Sequence, residues 1–268
     1  MSDPAPDTRE RPAAPAPIPI AIPSLPPDAA PPRPRMTARR AILEVALCSS
    51  YPTQILVATV LAAFGGRGLD ADGTLNAPFV IAVSVGDAVL VVTLIAAFMW
   101  RSGESLAATF VTGRPVGRDV LLGIGLAPLV LIGVSVTVAA LRALLPQLHN
   151  VPENPMGTLM RDPALAAVFA VVVVLAGGVR EELQRGFQLH RLTGHVCGPG
   201  LALLLTSAAF GAGHTLQGYD VAVATGLLGA GWGLLYLTRR SIVAAAVSHG
   251  VFNLAQVVIA ATFAAAGG

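Results

Sequence analysis

Three short stretches place reactive side chains in otherwise apolar surroundings. The first is AVVVVLAGGVREELQRGF, where Glu181 and Glu182 stand side by side between Arg180 and Arg185. An ionised carboxylate in a dry cavity is what activating a water molecule requires. Adjacent carboxylates repel, and the flanking arginines offset that repulsion. Arg185 follows Glu181 by four residues, so on a helix the two share a face and Arg185 is expected to hold Glu181. The second stretch is Phe210-Gly-Ala-Gly-His214, whose small residues would admit a neighbouring helix or a substrate backbone. The third is His249-Gly-Val-Phe-Asn253, again with its two polar or aromatic ends four apart. Taken singly, each His or Asn also fits a satisfied interhelical hydrogen bond. Taken together they supply a general base, a proton donor or metal ligand, and an oxyanion stabiliser.

The elements that must position these residues are helices in lipid. Of 268 residues, 54% are hydrophobic and only 12% charged, with a mean hydropathy of +0.70. Soluble domains carry about 25% charged residues, and lipid is the solvent that removes the need for a charged surface. The expected fold is all-α, a polytopic transmembrane helix bundle of about seven spans. Since a span needs about 20 residues, the apolar runs read as roughly 41–64, 79–100, 120–144, 164–190, 200–217, 220–237 and 242–265. All seventeen basic residues are arginine, which points to a GC-rich, bacterial genome. With the N-terminus inside, the inner segments hold Arg33, Arg35, Arg39 and Arg40, then Arg101, Arg114 and Arg118, then Arg191, then Arg239 and Arg240. The outer ones hold only Arg67, Arg142 and Arg161. This is the positive-inside pattern of a multi-pass protein of the bacterial inner membrane with a cytoplasmic N-terminus. A net charge of +2 argues against nucleic acid as a partner, leaving the lipid bilayer and a peptide or membrane-protein substrate.

Residues 1–40 read as a disordered Pro/Ala-rich tail, 41–160 as N-terminal transmembrane helices, and 161–268 as the transmembrane core that carries the polar pairs. The lone acids Glu44 and Asp87 read as structural contacts, and His149, His190 and His195 as solvated. Gly229 and Gly233 form a small-xxx-small packing pair. The stretch from Arg67 to Gly73 lacks the later ligands of a calcium loop and reads as a solvated turn. The segment 101–119 reads as lying on the inner membrane surface. Cys48 and Cys197 form no metal or disulfide pattern.

An EE pair with a following Arg, then FxxxH, then HxxxN, on three apolar helices resembles the CPBP family. This family is also known as the ABI or type II CAAX-processing protease family, and includes CAAX endopeptidases and bacterial proteins linked to bacteriocin self-immunity. The resemblance spans roughly 160–260. It implies an intramembrane endopeptidase in which Glu181 activates water, His214 assists, His249 and Asn253 serve the oxyanion, and Glu182 and Arg185 support them. Two forms stay open: a metalloprotease with zinc on His214 and His249, or a metal-free glutamate mechanism. One departure stands out. The family pattern is EExxxR, whereas here the order is Glu181-Glu182-Leu183-Gln184-Arg185, with Gly186 at the family's Arg position.

Counted at 1.5 Å per residue from the inner ends of these spans, Glu181 and His249 lie at about 12–14 Å and His214 at about 20 Å. Two other functional classes compete with the peptidase. One is a catalytically inactive scaffold or immunity-type protein. The other is a small transporter using the acids as a proton relay, which the lack of an inverted repeat argues against.

Overall fold

The computed structural model describes residues 36–111, 115–160 and 162–266. The Pro/Ala tract at 1–35, Arg114 and Arg161 lie outside the described residues. The first helix begins at Ala38, where the Thr37 hydroxyl accepts from the Arg40 amide. It comes in two pieces, α1 (Ala38–Leu47) and α2 (Tyr51–Ala63), broken at Ser50, which sits in the left-handed region at φ 68°. Then follow α3 (Ala77–Arg101), the short α4 (Leu106–Phe110) and α5 (Val116–Leu144). The next long helix changes character along its length. It opens as α6 (Pro163–Val172), widens into a π-helix over Val173–Arg180, and closes as α7 (Glu181–His195). The chain ends with α8 (Pro199–Ala212), α9 (Tyr219–Arg239) and α10 (Val243–Ala266). Among the described residues there are no strands, only the isolated bridges Leu69–Leu75 and Val111–Ser241.

Six helical segments are long and apolar enough to cross a membrane: 38–63, 77–101, 116–144, 163–195, 219–239 and 243–263. The expected fifth span is the exception. Helix α8 has 14 residues, about 21 Å at 1.5 Å per residue, against a hydrocarbon core of about 30 Å. It stops because Gly213 and His214 leave the helix for a 3-10 turn at Thr215–Gln217.

Ion pairs tie helix ends together on two opposite faces. On one face, Arg191 near the end of α7 reaches Glu44 of α1 and Glu104 ahead of α4, and Arg239 at the end of α9 pairs with Asp119 at the start of α5. On the other, Arg142 near the end of α5 pairs with Asp220 at the start of α9, which also meets His149. The chain therefore runs up and down as the spacing of the arginines leads one to expect. His149 and His190 are less solvated than expected: each is part-buried, and His190 lies 3.1 Å from Glu104 and edge-on to Phe110.

Close approaches concentrate around the polar residues. A Cβ on Gly178 would lie 2.7 Å from the Gly250 Cα, so the π-helix and α10 touch backbone to backbone. Gly229 and Gly233 make room on α9 for Phe210 and Leu203 of α8, which is the expected packing role. The turn after α2 is closed locally, with the Asp72 carboxylate accepting from the Thr74 amide and hydroxyl.

Candidate active site

Glu181 and Glu182 open α7 directly after the π-helix, and the two carboxylates face different surroundings. Glu182 is 1% exposed. It accepts a hydrogen bond from Arg185 and lies 2.8 Å from Nδ1 of His249. Because the carboxylate only accepts, Nδ1 carries the proton. Glu181 keeps 19% of its side chain exposed and turns to a cavity of about 210 Å³. Its nearest ion-pairing partners by distance are Arg180 Nη1 and His249 Nε2, each 3.8 Å away.

The expected pairing of Arg185 with Glu181 is thus corrected: Arg185 holds Glu182. Positions three and four apart both share a helix face, and Arg185 settles on the nearer, buried carboxylate. Its guanidinium also lies over the Phe210 ring at 4.2 Å. Gly186, where the family pattern has Arg, is buried against Ile242 and Phe110.

The imidazole of His249 is stacked on the Trp232 indole, with ring centroids 3.9 Å apart. Trp232 in turn donates to Ser248 at 3.3 Å. His214 stands in the turn after α8, with Nδ1 2.9 Å from the Phe210 carbonyl. A carbonyl only accepts, so Nδ1 is the protonated nitrogen and Nε2 of the neutral ring keeps its lone pair. Phe210 packs against both histidines, at 4.9 Å from the His214 ring and 6.1 Å from that of His249. Asn253 sits apart from the cavity lining and donates to the Val173 carbonyl at 3.2 Å. That carbonyl lies at the start of the π-helix, where the i→i+5 pattern departs from the α ladder.

The cavity is lined by Glu181, Arg180, Gln184 and Gln188 from the long helix, by Phe210 and His214, and by Ser49 to Tyr51 from the α1–α2 break. Of the expected site residues, Glu181, Arg185 and His214 line it, while Glu182, His249 and Asn253 stand behind. The expected depth difference also closes. Helix α7 runs on to His195, placing Glu181 about 21 Å above that end at 1.5 Å per residue, and His214 lies about 22 Å above Pro199. Helix α10 starts level with Gly186, whose Cβ would touch Ile242.

The zinc reading finds no donor set. Among the described residues, no group of three or more His, Cys, Asp or Glu is arranged to hold a metal ion. The Nδ1 atoms of His214 and His249 are engaged by the Phe210 carbonyl and by Glu182.

Residues 163–255 match the family model of type II CAAX prenyl endopeptidases, Rce1-like. This stretch runs from α6 into α10 and contains every residue of the three motifs. Over this stretch the chain is similar to the CPBP (type II CAAX) family. No curated protein and no solved structure matches it. Together with the six helices long and apolar enough to span a bilayer, this similarity makes it an integral, multi-pass membrane protein, and the Rce1-like region holds both glutamates and both histidines.

Reasoning from sequence missed several contributors. Trp232 carries no polar signal but forms the platform for His249. Ser50, Tyr51 and Gln54 line the cavity from outside the matched region. The only trace of their role is the helix-breaking Ser-Ser-Tyr-Pro run in an apolar span.

Proposed function

We propose that this protein is an intramembrane endopeptidase that hydrolyses a peptide bond with a water activated by Glu181. The observation that carries this reading is the division of labour between the two glutamates. Glu182 is neutralised in place by Arg185 and His249. Asp87, which shares Arg180 as a partner, is ion-paired with it at 2.9 Å. Glu181 is the remaining carboxylate, and it alone of the three lines the cavity, with His214 also in the lining. Base and water site thus coincide.

In this mechanism Glu181 takes one proton from the water as its oxygen adds to the substrate carbonyl carbon. His214 Nε2 accepts a hydrogen bond from the second O–H and aims the water. The proton on Glu181 then passes to the amide nitrogen as the C–N bond breaks, leaving a carboxylic acid and an amine. His249, fixed between Trp232 and Glu182, keeps the glutamate pair in register. Asn253 acts through the π-helix that presents the pair, in place of the direct oxyanion role implied by the resemblance. The arginine pattern supports an N-terminus on the cytoplasmic side of a bacterial inner membrane.

The test is cleavage of a fluorogenic membrane-peptide library by the reconstituted full-length protein. It is run beside Glu181→Gln and His214→Ala, each with and without chelator. Cleavage by the wild type and loss of at least about 10²-fold in both variants supports the reading, and the chelator lanes read metal dependence. Equal cleavage by wild type and Glu181→Gln overturns it. No cleavage by any of three equally folded proteins favours the inactive scaffold.

A further inference from the structure

We propose that Gln184 is a catalytic residue that donates its side-chain N–H to the oxygen of the scissile carbonyl as that oxygen becomes negative. The inference rests on the peptidase reading and adds to it the oxyanion donor that the site otherwise lacks. The two residues to which the resemblance gives that role are engaged elsewhere: His249 Nδ1 meets Glu182, and Asn253 donates to the Val173 carbonyl.

Gln184 follows Glu181 by three residues on α7, so the two share a helix face, and both line the cavity. Its Oε1 accepts from Arg180 Nη1 at 2.9 Å and from the Ser50 hydroxyl at 2.8 Å. An arginine only donates, so this contact fixes which end of the amide is oxygen. Arg180 is in turn held by Asp87 and Ser50, each at 2.9 Å. Both acceptor sites of Oε1 are thereby filled, and the two Nε2 hydrogens meet no acceptor among the described residues. Nor is that nitrogen sealed inside the protein, as Nε and Nη2 of Arg185 are.

The other donors around the cavity are spent or unheld. Arg180 gives its Nη1 hydrogens to Ser50 and Gln184 and turns Nη2 to Asp87. Tyr51, Thr206 and His214 Nδ1 face backbone carbonyls, and Gln188 donates to the Cys48 carbonyl. Gln54 is exposed, and Gln217 is tied only by a 3.4 Å bond from Asn154. Among the lining amides, Gln184 is the one whose oxygen is pinned by two donors. A donor fixed before the reaction needs no reorganisation when charge develops.

As the water oxygen adds to the carbonyl carbon, the π pair of the C=O bond moves onto its oxygen, and Nε2–H bonds that oxygen. When the C–N bond breaks, the pair returns to re-form C=O, and the amine leaves with the proton that Glu181 carried.

The test uses the full chain in lipid nanodiscs, the best-cleaved peptide of the library, and the same peptide with sulfur, a poor acceptor, in place of the scissile carbonyl oxygen. The oxygen-to-sulfur ratio of kcat/KM is read in wild type, Gln184→Met and Gln184→Glu. The glutamate keeps an acceptor for Arg180 and Ser50 but offers no N–H. On the oxygen peptide both variants should lose about 10²-fold in kcat with KM unchanged. Their oxygen-to-sulfur ratio should fall by about tenfold or more, because the donor and the oxygen it meets are coupled. A merely structural role would slow both peptides alike, so an unchanged ratio overturns the proposal, as does full kcat in Gln184→Glu. Each ratio is internal to one protein, so it does not depend on the folded fraction, and where Gln184→Met does not fold Gln184→Glu carries the test. A wild type that cleaves no peptide overturns the peptidase reading and this role together, whereas cleavage with equal ratios overturns this role alone.

Discussion

The contact between the π-helix and α10 should be the most sensitive point in the site that touches no substrate. Consider Gly178→Ala. The new Cβ would lie 2.7 Å from the Gly250 Cα and 2.9 Å from its nitrogen, and both are backbone atoms that cannot rotate away. Ordinary contact begins at 3.4 Å, so the helices must part by about 0.7 Å. Gly250 follows His249, and Gly178 lies one turn before Glu182. The same opening takes the His249–Glu182 contact from 2.8 Å to about 3.5 Å, the outer limit of a hydrogen bond. Overpacking of this kind costs about 1–3 kcal/mol, partly offset by the better helix propensity of Ala. The folded protein should persist while its glutamate pair loses register, and an error approaching 1 Å in a catalytic group costs about 10²-fold. The assay is kcat/KM in the peptide-cleavage experiment, read beside thermal unfolding of the same preparation. Gly231→Ala is the control, because nothing lies within 4 Å of a Cβ there. Full activity in Gly178→Ala would refute the claim that this approach sets the geometry of Glu182 and His249.

Two further outcomes follow from the buried arginines. Arg191 is fully buried and bonds Glu44 at 2.7 Å and Glu104 at 2.7 and 2.9 Å. Arg191→Met strands part of that charge, so it should cost about 3–5 kcal/mol in unfolding measurements and leave kcat per folded molecule unchanged. Exchanging the neighbours, Arg185→Gly with Gly186→Arg, recreates the EExxxR spacing but aims the guanidinium at Ile242 and Phe110. Cleavage should be lost and thermal stability lowered; an active, stable double variant would show that the departure in spacing is neutral.

Much of this arrangement is legible in the sequence because lipid makes polar residues expensive. Glu181 and His249 in apolar helices, and His214 just past one, stand out by residue type alone. Glu44 and Asp87 stand out the same way, and both are satisfied by arginines, as expected of structural acids. The helix boundaries are less legible. Hydropathy falls at the ends of spans, so the apolar run stops at 190 while α7 continues through Arg191, Thr193 and His195. The expected fifth span runs to 217 whereas α8 ends at Ala212, because the residues after Ala212 do not mark the turn that ends it.

The π-helix is the feature with no sequence signature. An α-helix read straight through Val173–Arg180 gives the wrong rotation for everything that follows, because the i→i+5 segment advances the helix differently. Two local features keep the segment wide. Asn253 donates to the Val173 carbonyl, and Gly177 leaves room for that amide, with a Cβ there only 2.5 Å from Nδ2. Asn253 is one turn beyond His249, so the same helix that engages the π-helix carbonyl also delivers the imidazole to Glu182. The HxxxN spacing is therefore a mechanical linkage. Its Asn bonds the carbonyl at the start of the π-helix, and its His meets the carboxylate just past the end of it. With α7 so rotated, a residue at position 186 faces Ile242 of α10, and position 185 faces Glu182, Phe210 and Trp232.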